Sequence, residues 1–303
     1  MPRLAGGLCL AVLALMAVGC GPADAPDADQ TGSALPAAIQ VDPEAPPGLV
    51  ETSFLSGGQL LYASVYLANG AGPHPAVVLL HGFPGHERNL DLAQALRADG
   101  FNVLFFHYRG AWGSEGTFSL SHMIGDVAAA TGYLRRDAAR LKTDPSRILL
   151  VGHSMGGFAA LEGAANDPDV RCVAGLAPAD MSAIADSMMA DPAAADRFAS
   201  YADQLGMLAG LDGEAMVADI LAQRDSFDPV ALAPRLAGKS ILIVMADKDT
   251  AIPRPLAMTA AFKASPGVKV SGVELSGDHA FSWSRRELAE TVIDWAKACA
   301  GPL

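Results

Sequence analysis

Clusters of lysine and arginine are missing from this sequence. Its 21 basic residues are outnumbered by 33 acidic ones, and the formal charge is −12. With no basic patch to track a phosphate backbone, nucleic acid is excluded as a partner. Metal-ligand spacings are missing too. Neither H-E-x-x-H nor paired C-x-x-C occurs among the seven histidines and four cysteines, so no metal and no other cofactor is implied. There is no internal repeat. What the chain does have is 51% apolar residues and 31 glycines in 303, enough to bury the core of a single α/β domain and to exclude disorder for its bulk.

The first twenty residues read as an export signal. Arg3 is a short positive region, Leu4 to Val18 is apolar but short for a membrane span, and Ala17-Val18-Gly19-Cys20 closes it. Small residues running into a cysteine resemble a bacterial lipobox, in which Cys20 becomes the lipidated first residue, although Ala17 departs from the usual Leu. The plainer alternative is a secretory signal cleaved nearby. Either way the protein is expected to be exported, touching a membrane only through an anchor on Cys20. Residues 21–48 are rich in Pro, Ala and Asp without hydrophobic period, which predicts a flexible tether before a domain spanning 49–303. Of the remaining cysteines, Cys172 and Cys299 are able to pair in an exported protein, but sequence gives no separation. The reading leans toward unpaired, buried thiols.

Beyond the tether, short β-rich runs alternate with longer helical ones, the pattern of a mostly parallel sheet. Val50 to Leu55 and Leu60 to Leu67 predict an opening hairpin. Buried strands follow at Ala76 to Leu80, Phe101 to Phe106, Arg147 to Val151 and Val170 to Leu176, with helices at about Leu90 to Asp99, His122 to Arg140 and Met155 to Asn166. The alternation then lapses from Pro178 to Lys239. Phe198, Tyr201, Leu205 and Leu208, then Met216, Ile220 and Leu221, fall at helical spacing there, so a helical cap over about 179–235 is expected. Ile241 to Met245, a helix near Pro255 to Lys263, a strand near Lys269 to Leu275 and a helix from Ser284 to Cys299 complete eight strands flanked by helices.

Gly152-His153-Ser154-Met155-Gly156 has the spacing G-x-S-x-G, in which glycines let a sharp turn push a strained serine into the open. The five residues alone prove little. Their setting is more specific, because a buried strand runs into them and a helical pattern leaves them. Three further stretches stand at strand ends: His81-Gly82-Phe83-Pro84-Gly85, the run YRGAWGSEG from Tyr108, and Gly277-Asp278-His279 followed by Ala280-Phe281. Together these motifs resemble the α/β-hydrolase superfamily over roughly Val50 to Cys299. Within it the chain is similar to esterases of the feruloyl or cinnamoyl sort, and to the hydrolase domains of dipeptidyl and acylaminoacyl peptidases.

The resemblance implies an α/β-hydrolase fold and a Ser-His-Asp triad. Its chain order of nucleophile, acid and histidine implies Ser154 as nucleophile and His279, beyond the last strand, as base, since the other six histidines precede the serine. Aligning Ile252-Pro253 with the end of the family pattern G-x-x-D-x-x-V-P favours Asp249 over Asp247 as the acid, leaving Asp247 to form a turn. The oxyanion donors implied are the backbone N–H groups of Phe83 and Met155. Ala111-Trp112 adds a residue to the family's R-G-x-G-x-S region, so this loop is read as structural, with Arg109 bracing its neighbours.

Serine at the elbow argues against dehalogenase or epoxide hydrolase chemistry, which uses Asp there. The expected activity is hydrolysis of small-molecule carboxylic esters by a monomer or small homo-oligomer. A serine peptidase and a non-catalytic binding protein on the same fold are the alternatives. Asp180 to Asp228 carries ten acidic and two basic residues, a cap charge of about −8 that would repel polyanionic substrates, or be merely a solvated face. Met181, Met188, Met189, Met207 and Met216 either line an acyl pocket or pack the cap onto the domain.

Overall fold

The computed structural model describes residues 40–302. The expected export signal, Cys20 and the expected tether as far as residue 39 lie outside these residues. Eight strands form one sheet: β1 (Gly48–Ser56), β2 (Gln59–Leu67), β3 (His74–Leu80), β4 (Asn102–Phe106), β5 (Thr143–His153), β6 (Cys172–Leu176), β7 (Ser240–Ala246) and β8 (Lys269–Leu275). Their spatial order is β1-β2-β4-β3-β5-β6-β7-β8. β1, β2 and β4 pair antiparallel, and every pair from β4 to β8 is parallel. This is the α/β-hydrolase fold.

Pleating sorts the core by alternate residues. Val78, Leu80, Leu150 and Ile243 face one layer with α2 (Leu120–Arg136), α3 (Met155–Asn166) and α8 (Leu256–Ala264). Val77, Leu79, Leu149 and Val244 face the other, with α1 (Leu90–Ala98) and α9 (Arg285–Ala300). Central strands buried on both faces read as unbroken apolar runs, such as the five residues of β4 and of β6. The edge strand β8 alternates instead and carries Lys269 and Glu274, charges that discourage pairing with another sheet.

The chain leaves β3 toward β4 on one side and β5 toward β6 on the other. Crevices of doubly wound sheets open where strand order reverses in this way, beyond the carboxyl ends of the two strands. The loop His81–Gly85 leaves β3 there, and Ser154 leaves β5.

The cap holds α4 (Met181–Ala190), α5 (Pro192–Ala202), α6 (Gly213–Ala222) and α7 (Pro229–Leu232), then a short 3-10 turn. Helical spacing does not foresee α4, whose N-cap Asp180 accepts from the N–H of Ala183 at 3.0 Å. Nor does α5 extend through Leu205 and Leu208. Leu208 instead forms an antiparallel bridge to Ala111, with backbone bonds from Trp112 to Met207 and from Ala209 to Gly110. The residue added to the Arg109 loop thus lies where that loop grips the cap.

Two expectations are corrected. Cys172 and Cys299 form a disulfide, with Cα atoms 6.2 Å apart across 127 residues of sequence. The first residue of β6 meets the last turn of α9 on one face of the sheet, a contact that exists only in the fold. The domain also begins earlier than composition suggests. Residues 40–47 lie on the domain, because Asn69 bonds Gln40 and Asp42 and the carbonyl of the buried Ala45 accepts from Gly70 at 2.8 Å. Among the described residues no helix is long and apolar enough to cross a membrane.

Candidate active site

Ser154 sits between β5 and α3 at φ 56, ψ −124, a conformation a side chain rarely adopts. Its neighbours allow it. A Cβ on Gly152 would lie 2.0 Å from the carbonyl oxygen of Gly156, and a Cβ on Gly156 would lie 2.3 Å from that of Leu80. Only glycine permits both approaches, which is the physical content of the G-x-S-x-G spacing. The turn is held by the Ser154 N–H, donating to Leu176 at 2.9 Å, and by the Ser154 carbonyl, accepting from Ala179 at 3.0 Å.

His279 lies in the loop after β8, and its Nδ1 is 2.6 Å from Asp249 Oδ2 in the loop after β7. A carboxylate accepts but cannot donate, so Nδ1 carries the proton and Nε2 is left with a lone pair. Burial alone would raise the Asp249 carboxyl. The hydrogen bond from His279, with the N–H groups of Ala251 and Ile252, holds it below the usual carboxylate range instead. Asp247 does not reach the histidine. Its Oδ1 accepts from the Gly277 N–H at 2.9 Å and its Oδ2 from Lys248 at 2.9 Å, so it pins the start of the loop that carries His279.

Ser154, Met155, Phe83 and His279 border one cavity of about 290 Å³, walled by cap and core side chains including Met181, Ile184, Phe198 and Met216. Of the five cap methionines, Met181 and Met216 face this space. Met188 is buried in the core and Met189 is 55% exposed. Met155 opens α3, so its N–H is one of the first-turn donors with no acceptor inside the helix. Gly82 comes close to the serine: a Cβ there would lie 2.9 Å from Ser154 Cβ. Phe83 follows at once, its ring 5.8 Å from Phe198 and 6.2 Å from Tyr201.

Sequence reasoning overlooked His153. Its side chain reaches the loop that carries His279. Nε2 donates to the backbone carbonyl of His279 at 2.7 Å, tying the nucleophile strand to the histidine loop. The ring is buried, and burial, reinforced by the nearby His279, brings it down to about 4. No sequence signal marks a contact across 126 residues. Arg109 braces its own loop against α2. It meets the fully buried Asp126 at 2.6 Å and gives a second bond to the carbonyl of His122 at 2.8 Å. Among the described residues no group of three His, Cys, Asp or Glu side chains is arranged to hold a metal ion.

Among curated proteins, the chain is 32% identical over 142 residues to the quorum-quenching protein AidA of Acinetobacter baumannii, covering 45% of each. It is 31% identical over 140 residues to an uncharacterized protein of Mycobacterium tuberculosis, covering 46% of this chain and 48% of the other. The matched region spans about half the length of these relatives. Among solved structures, a thermostable carboxyl esterase from Bacillus coagulans superposes with a TM-score of 0.65 at 15% identity, over 84% of this chain and 99% of that one. Est1E from Butyrivibrio proteoclasticus, with ferulic acid bound, gives 0.62 at 21% identity, over 82% and 98%. At such identities the likeness is one of fold. A family profile described as "Alpha/beta hydrolase family" matches residues 77–291, more than half of the chain and the whole stretch from β3 through the elbow to His279, and the protein belongs to that family.

Proposed function

We propose that the protein is a serine hydrolase that cleaves carboxylic esters through an acyl-enzyme intermediate. Ser154 Oγ attacks the ester carbonyl while His279 Nε2 takes its proton, and Asp249 holds the ring and offsets its charge. The oxyanion is held by the N–H groups of Met155 and Phe83. Collapse expels the alcohol, which takes the proton from His279. Water then repeats the sequence on the acyl-enzyme and releases the acid.

The observation that carries this reading is the 2.6 Å contact of His279 with Asp249 at a cavity shared with the strained Ser154. Membership of a hydrolase family supports it. The cavity favours esters over aminopeptidase substrates: an aminopeptidase needs a carboxylate for the free amine, and none of the ten cap carboxylates borders this space. We also propose that the protein is exported, anchored through Cys20, and acts as a monomer or small homo-oligomer. The Cys172–Cys299 disulfide supports export, since such bonds persist in oxidising compartments.

The test is hydrolysis of p-nitrophenyl esters beside aminoacyl and peptidyl p-nitroanilides, by the wild type and Ser154→Ala. Ester turnover lost in the variant, with anilides untouched, is expected. Anilide cleavage would make the protein a peptidase, and the absence of Ser154-dependent turnover would leave a binding protein.

A further inference from the structure

Two cavities, not one, meet at His279. The apolar one, about 290 Å³, contains Ser154 and Met155. The second, about 380 Å³, lies against the His81–Gly85 loop and the His279 loop, and does not include the serine. Phe83, Ala251 and His279 belong to both and so mark the boundary. Their chemistry differs. The first is lined by cap side chains such as Ile184, Phe198 and Ile220. The second presents His86, Glu87, Thr250 and Asp278. Backbone and hydroxyl donors of Ser282 hold the Asp278 carboxyl below its usual range, so it is ionised near neutrality.

We infer that the two cavities divide the substrate at its scissile bond, the acyl group occupying the chamber without charged side chains and the leaving alcohol the acidic one. This rests on the esterase reading above. The acyl carbon bonds to Ser154, so its substituent must extend into the space that contains the serine and the Met155 N–H. The leaving oxygen receives its proton from His279, so its substituent must extend into the other space that the histidine borders. At water's ~30 Å³ share of volume, the acyl chamber takes on the order of ten non-hydrogen atoms, an aliphatic or aromatic acid of moderate size. The alcohol chamber offers two carboxylates, hydrogen-bonding groups and no lysine or arginine. It admits a neutral or amine-bearing alcohol and disfavours one that carries phosphate.

A grid of esters tests this, varying acyl length at fixed alcohol and the alcohol at fixed butanoyl. Efficiency should fall steeply once the acyl chain outgrows about ten atoms. Glyceryl butanoate should be turned over at least tenfold more efficiently than its 3-phosphate. Ile184→Trp should reduce octanoate relative to acetate tenfold or more and keep the order of alcohols, whereas Ile184→Ala should move the optimum to longer chains. Glu87→Trp should reduce glyceryl relative to methyl butanoate tenfold and keep the order of acyl groups, and Glu87→Gln should narrow the penalty on phosphate. Crossed effects, with Ile184 variants reordering alcohols and Glu87 variants reordering acyl groups, would overturn the partition while leaving the esterase reading intact. A wild type with no Ser154-dependent turnover of any ester in the grid would overturn both.

Discussion

Two aspartates two residues apart have separate jobs, and this separates two predictions. Asp249 touches the imidazole, whereas Asp247 holds the backbone of Gly277. Asp249→Asn places an amide against Nδ1, favours the wrong tautomer and should cut kcat by roughly 10³–10⁴-fold. Asp247→Asn keeps an oxygen acceptor for Gly277 and should retain most activity, and the reverse result would reassign the acid. His153 belongs to the same scale. His153→Ala removes the 2.7 Å bond to the His279 carbonyl and should lower kcat by about tenfold or more even for methyl esters, which leave the chamber that His153 borders largely empty, because the proposed base is misplaced. His153→Gln, which is able to donate to the same carbonyl, should recover part of the loss. A fall confined to KM would remove His153 from the positioning of the base. The elbow turn at Ser154 and the placing of Asp249 and His279 in the loops after β7 and β8 were legible in the sequence, because glycines at fixed spacing and strand ends constrain residue type. His153 was not, since its role lies in a contact between loops 126 residues apart.

Among the elements, the strands were the most legible part of the fold. Burial on both faces writes β3, β4, β6 and β7 as apolar runs, and α3 begins and ends where its pattern does. The cap was less so. Helix α4 is short and set by its cap residue, and Leu208 lies where the chain pairs with the Arg109 loop rather than on a helix. Two non-local ties hold elements together and are open to measurement. Asp126, fully buried on α2, accepts from Arg109 and from Ser56 Oγ at 2.6 Å, joining α2 to the β1–β2 turn and the cap-gripping loop. Asp126→Ala strands the Arg109 charge and should destabilise by about 3–5 kcal/mol in denaturant unfolding. Replacing Arg109 as well should cost less than the sum of the single changes. The disulfide ties β6 to α9 and closes a loop of 127 residues in the unfolded chain. Cys299→Ala should lower stability by about 2–4 kcal/mol, or roughly 5–15 °C in Tm. Reductant should reproduce that shift in the wild type and leave the variant unaffected.

For the molecule as a whole, acid stability follows from histidines kept neutral around the site. His81 lies beneath the loop after β3, His107 follows β4, and His153 supports the His279 loop. Burial brings them down to about 4, about 3 and about 4, although Gly82 accepts a bond from His81 and His279 accepts one from His153. An unfolded histidine titrates near 6.5, so between about pH 6.5 and 4 the unfolded chain binds more protons than the native one. Stability should therefore be complete above about 6.5 and decline as pH falls through that window. Carboxylates held low in the fold, Asp249 and Asp278 among them, add their loss only as pH drops below the usual carboxylate range. With three groups acting together, Tm should fall on the order of 10 °C per pH unit across the histidine window. His107→Phe should flatten that slope by removing one of the three. A flat Tm from pH 6.5 to 4.5 would mean that the loops around the site open to hydrate these rings before the domain unfolds. Activity and stability would then be lost in separate transitions, which assays of ester turnover and of unfolding at the same pH values would resolve.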